Sequence, residues 1–214
     1  MDTIIEIVSV AMYGALAAIA LWGAYCVVVV WRRVAQARFR SEEEQAEFLD
    51  ELEQTLEQGN IDAAIELCDG DRRAVPQLAL LALVNLDRGY SKVRQLVVDR
   101  FQRDVLADLE HRISWIYTVI KSAPMVGLLG TVVGMMGAFT KLSTGEKVDP
   151  GLMAKDISLA LITTACGLAI AIPLVLCTAS INVRIRKLED LVGSGLMRLM
   201  DSLKSLLQVA GKDR

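Results

Sequence analysis

Three threonine hydroxyls are the groups best placed for chemistry in this chain. Thr131 stands beside Gly127, Gly130, Gly134 and Gly137, which step by three, four and three residues. At about 100° per residue of helix these glycines fall on one face, with Thr131 at its edge. Thr163 and Thr164 repeat the arrangement further on, where Ala160, Gly167 and Ala171 complete a second small-residue face. A glycine face lets another helix approach closely, and a hydroxyl on it puts a polar group where lipid would otherwise lie. Threonine does not titrate usefully, but it can orient water or hydrogen-bond a carboxylate. Each hydroxyl also has a simpler use, a bond to the carbonyl one turn back in its own helix. Asp156 lies seven residues before Thr163, nearly on the same face. It reads either as a helix-cap or first-turn acid or as the acid of an ion path.

Other site chemistries find little support. The chain has one histidine, His111, in an amphipathic helical run, and four cysteines, Cys26, Cys68, Cys166 and Cys177, without metal-type spacing. There is no nucleophile–base constellation, phosphate loop or basic tract for nucleic acid, so the sequence excludes an enzyme of ordinary kind.

The elements that carry the threonines are apolar. The chain is 53% hydrophobic, with a formal net charge of −3 and a mean hydropathy of +0.41. Three stretches, 7–31, 122–140 and 157–183, contain no charged residue. Each is near or above the roughly 18 to 20 residues that a spanning helix needs. The first differs from a secretory signal: its start is acidic, its apolar run is long, and Arg32-Arg33 follow like a stop-transfer. The expected fold is an all-α membrane protein with three transmembrane helices. Arg32, Arg33, Arg38 and Arg40 follow the first span, His111, Arg112 and Lys121 precede or open the second, and Arg184, Arg186 and Lys187 follow the third. Lysine and arginine favour the cytoplasmic side, which predicts an N-out, C-in chain. The expected layout is an N-terminus and first helix over 1–31, a cytoplasmic helical segment 32–112, a second helix 113–140, a periplasmic loop 141–156, a third helix 157–183 and a cytoplasmic C-terminal helix 184–214. Lys121 reads as a snorkelling anchor and Trp31 as an interfacial one. The bulky first helix, with Trp22 and Tyr25, reads as peripheral or lipid-facing.

Between the spans the pattern is helical. Ser41 followed by Glu44 predicts a capping box, Gly59-Asn60 a break, 61–68 a short helix stopped by Asp69-Gly70, and Pro76 the opening of another helix through Leu86. The acidic run 42–57 reads as a solvated face. From Tyr90 the apolar period runs into the second span, predicting one long rod. After Val183 it continues along a second extension, with Gly193 and Gly195 as candidate bends. Together these extensions predict a cytoplasmic helical bundle. Pro173 removes one backbone bond from the third span.

The motifs Gly127-Leu-Leu-Gly-Thr-Val-Val-Gly134 and Ala160-Leu-Ile-Thr-Thr-Ala-Cys-Gly-Leu-Ala-Ile-Ala-Ile-Pro173, in that order within three helices, resemble the TolQ/ExbB/MotA proton-channel subunits, in the ExbB/TolQ-like branch. The resemblance implies an inner-membrane homopentamer enclosing a dimer of a single-span ExbD/TolR-like partner that carries the essential membrane aspartate. It implies that proton flow past that aspartate drives rotation, and that work reaches a TonB- or TolA-like protein. By motif, Thr131 and Thr164 match the family's channel-lining threonines. Family members often carry a glutamate where this chain has Leu159. That difference leaves sodium open beside the proton, and leaves Asp156 as a partial substitute. No cofactor is implied. The rival readings are a non-conducting scaffold and a stand-alone channel. The absence of any Asp or Glu within the spans disfavours the latter, and three helices of one chain cannot enclose a path.

Overall fold

The computed structural model describes residues 2–143 and 150–212, and all its regular secondary structure is helical. The order is α1 (Asp2–Ala37), α2 (Glu42–Glu57), α3 (Ile61–Cys68), α4 (Ala74–Val84), a 3-10 turn (Leu86–Arg88), α5 (Tyr90–Arg100), a π-helical turn (Phe101–Leu106), α6 (Ala107–Ser143) and α7 (Pro150–Lys212). Three helices are long and apolar enough to cross a membrane, within Val10–Ala37, Tyr90–Thr140 and Met153–Ser205. Residues 144–149 of the expected loop lie outside the described residues. The remainder of 141–156 is helical, closing α6 and opening α7.

The chain divides into two compact units. One comprises residues up to 29 and 112–180, and holds the apolar parts of α1, α6 and α7. Gly23 of α1 marks where the three meet: a Cβ there would sit 2.8 Å from both Val119 Cγ1 and Leu174 Cδ1. Leu16, Ile116, Ala123, Ala160 and Ala171 are buried in this unit, while Leu21, Met125, Leu128, Leu161 and Leu176 are exposed. Large exposed apolar side chains on such helices suit lipid or other helices. α1 turns a face with Trp22 and Tyr25 outward.

The other unit, residues 30–111 and from 181 on, is a helical bundle. Ser41 caps α2: its hydroxyl accepts from the Glu44 N–H at 3.1 Å. The Glu44 carboxylate reaches one residue past the cap and accepts from the Arg40 N–H at 3.0 Å. α2 stops before Gly59, whose φ of +75° favours glycine, with Asn60 N–H donating to Thr55 O and Gly59 N–H to Leu56 O. The Asn60 side chain then starts α3 by accepting from the Ala63 N–H at 3.1 Å. α4 opens at Ala74, before Pro76, because first-turn N–H groups have no helical acceptor and proline loses nothing there. Leu52, Leu56, Val75, Ala79, Val97, Leu188 and Leu199 form the core.

One expectation is corrected. The acidic run is not merely solvated: Arg198 pairs with Asp50 at 2.7 Å and Glu53 at 2.8 Å, Lys187 with Glu42 at 3.1 Å, and Arg73 with Glu44 at 2.7 Å. α7 runs on as helix through Gly193 and Gly195. Gly195 provides a close approach, since a Cβ there would lie 3.1 Å from Gln45 Nε2 and 3.3 Å from Val75 Cγ2. Buried Gln45 donates to the Leu191 carbonyl at 2.7 Å.

The rod from Tyr90 to Ser143 is helical throughout but not α throughout. Its apolar residues Val93, Val97, Phe101, Val105, Leu109 and Ile113 recur every fourth position. An α-helix advances such a stripe by about 40° per step, so it would spiral off the buried face. The wider π turn at Phe101–Leu106 takes up the drift between Phe101 and Leu109, and both are buried.

Candidate functional site

The second and third apolar helices meet at backbone distance. A Cβ on Gly127 of α6 would fall 2.7 Å from Thr163 O and 2.9 Å from Thr164 Cα. A Cβ on Gly167 of α7 would fall 2.6 Å from Ala123 O and 3.2 Å from Pro124 Cα. Each helix thus offers a glycine to the other's main chain. Further along, a Cβ on Gly134 would lie 2.5 Å from Ala160 Cβ, and one on Gly130 would collide with the Thr163 side chain. Gly137 is buried.

This contact brings two of the three threonines to one atom. The Thr164 hydroxyl donates to the Gly127 carbonyl at 2.9 Å. The Thr163 hydroxyl lies 3.0 Å from the same oxygen and 2.7 Å from Ala160 O, so its single proton is shared between them. Thr131 stands apart and donates to Leu128 O of its own helix at 2.7 Å. Thr131 and Thr163 are 6% and 4% exposed within the chain, and Thr164 is half-buried. With donors committed to carbonyls, the hydroxyl oxygens keep lone pairs that accept from water or from a protonated group.

Beside this junction is a cavity of about 110 Å³. Gly130, Val133, Gly134, Gly137 and Ala138 of α6 line one side, and Asp156, Leu159, Ala160 and Thr163 of α7 form a wall. α1 closes it with Met12 and Tyr13, whose hydroxyl donates to the Leu159 carbonyl at 3.2 Å. Asp156 and Thr163, paired by sequence spacing alone, share this space. Tyr13 was not foreseen, because a tyrosine in a bulky apolar helix looks like any lipid-facing aromatic. Among the described residues there is no group of three or more side chains suited to a metal ion.

In the bundle, burial pushes the Asp71 carboxyl up, but hydrogen bonds and charge from Arg73 outweigh this and hold it below its ordinary 3.8. Arg73 also lies over the Phe39 ring, 3.9 Å from its centroid. Burial, aided by Asp71, pushes the Cys68 thiol up to about 11, as befits a structural cysteine.

A model of the MotA/TolQ/ExbB proton channel family matches residues 80–193. The chain is 37% identical over 89 residues to the Tol-Pal system protein TolQ of Haemophilus influenzae, covering 42% of this chain and 39% of that protein. It is 38% identical over 96 residues to the biopolymer transport protein ExbB of Helicobacter pylori, covering 45% and 66% respectively. It is 38% identical over 91 residues to the biopolymer transport protein ExbB of Xanthomonas campestris, covering 41% and 36%. The matched stretch thus spans between about a third and two thirds of these relatives. The chain belongs to the MotA/TolQ/ExbB proton channel family.

Proposed function

We propose that this chain is an inner-membrane, ion-conducting energy-transduction subunit, most similar in role to ExbB and TolQ. It works as a pentamer around a single-span ExbD/TolR-like dimer, oriented N-out and C-in, and the ion motive force moves the assembly to do work on a TonB- or TolA-like protein. The observation that carries this reading is the Gly127 carbonyl with the Thr163 and Thr164 hydroxyls on it, set between two close-packed apolar helices of a chain in this family. A polar junction at that depth is costly unless it serves packing or passage, and hydroxyl oxygens with free lone pairs can relay water to a carboxylate. In this reading Thr131, Thr163 and Thr164 line the path, and Gly127, Gly130, Gly134, Gly137 and Gly167 set the helix spacing that shapes it. The spans contain no acid of their own, so the partner supplies the titrating carboxylate and Asp156 serves at the path's end. The permeant ion is the proton. One charge falling through 100 mV supplies about 2.3 kcal/mol, so useful work takes successive ions.

Two measurements test this. The chain should co-purify with a small single-span membrane protein; isolation as a partner-free pore would overturn the partner-dependent mechanism. In proteoliposomes holding the complex, Thr131→Ala and Thr164→Ala should each lower proton flux at least tenfold, and unchanged flux in both would remove the lining role.

A further inference from the structure

We propose that the cavity between α1, α6 and α7 is a hydrated vestibule within a single protomer, where water and small monovalent cations meet Asp156, with Tyr13 of α1 as its outer wall. This deepens the conducting role proposed above by adding an entry that needs no neighbouring subunit.

Size and polarity carry the inference. A water needs about 10–15 Å³ of such volume and two or more polar partners. The cavity's 110 Å³ admits several waters, and Asp156, the Tyr13 hydroxyl and the Thr163 hydroxyl each offer a polar group. Two of its lining glycines sit where α6 and α7 touch, since a Cβ on Gly130 or Gly134 would meet Thr163 or Ala160. Thr163 spans the space: its side chain is a cavity wall, and its hydroxyl reaches the Gly127 carbonyl at the helix junction. Water in the cavity is therefore one residue away from the polar junction. The Tyr13 bond to the Leu159 carbonyl fixes α1 against α7 beside the cavity. The acid of the vestibule is then Asp156, on the same wall one turn earlier.

The test is thiol accessibility of the full chain in lipid bilayers, read site by site by mass spectrometry. The native cysteines stay in place, and buried Cys68 serves as the unreactive reference. Leu159 lines the cavity and is 46% exposed; Leu161 lies off it and is more exposed, at 59%. A thiolate forms only where water reaches it, and it attacks a methanethiosulfonate to give a mixed disulfide and methanesulfinate. Leu159→Cys should react with neutral hydroxyethyl methanethiosulfonate at least tenfold faster than Leu161→Cys. Tyr13→Ala should speed that reaction further, while Leu159→Cys with Asp156→Asn should slow only the cationic aminoethyl reagent. Equal rates at Leu159→Cys and Leu161→Cys would overturn the vestibule, and equal slowing of both reagents by Asp156→Asn would overturn its cation preference. These rates are read without partner or ion gradient. A dry cavity therefore leaves the transport proposal standing, and a failed flux assay leaves the vestibule standing.

Discussion

The Thr164 hydroxyl of α7 donates to the Gly127 carbonyl of α6 at 2.9 Å, across an interface where Gly127 has no side chain to hold the helices apart. The bond depends on the glycine, because a Cβ on residue 127 would meet the α7 backbone before the hydroxyl could reach the oxygen.

Two threonines on one carbonyl make their effects non-additive. Thr163→Val and Thr164→Val should each cost about 0.6 kcal/mol, since each leaves the other donor in place. The double variant should cost more than the sum. Unfolding of all four proteins in detergent micelles measures this, and strict additivity would show that the two hydroxyls act independently.

Gly127→Ala should lower stability by about 1–3 kcal/mol, because its Cβ would strike main-chain atoms of α7 that cannot move aside. Gly14→Ala in α1 has nothing within 4 Å and should raise stability by about 0.5–1 kcal/mol, as alanine for glycine does in a helix. Melting temperatures of the two variants should move in opposite directions.

The same contrast recurs within two residues of α7. Gly193→Ala meets open space and should stabilise, whereas Gly195→Ala crowds Gln45 and Val75 and should destabilise. Thermal melts of the two single variants check this.

The spans were legible because three charge-free stretches leave few alternatives to membrane helices. The caps at Ser41 and the break at Gly59 were legible because their chemistry is local. Asp156 and Thr163 were paired by spacing because both lie on one helix. What escaped depends on distant partners. Tyr13 meets Leu159, and Gln45 meets Leu191, across 146 residues in each case, and no local pattern marks either. The π turn did leave a signal: the four-residue spacing from Val93 to Ile113 is too even for an α-helix with one buried face.

Acid should loosen the bundle through Asp71. Its folded value lies below its ordinary 3.8, so its contribution is complete above that value and is lost as pH falls through the lowered one. Arg73 remains charged throughout. Melting temperature followed downward from pH 5 should fall less steeply in Asp71→Asn than in the native chain, and parallel curves would remove Asp71 from the acid response.

The π turn at Phe101–Leu106 has a consequence for how this chain tolerates changes in length. Such a turn holds one residue more than α geometry accommodates. With one of residues 102–104 deleted, Phe101 and Leu109 would stand seven positions apart, two α turns to within about 20°. The flanks would keep their buried faces and the helix would become α throughout. The segment is structurally equivalent to a single-codon insertion absorbed in place, so this is where the gene can lose a codon and keep its register.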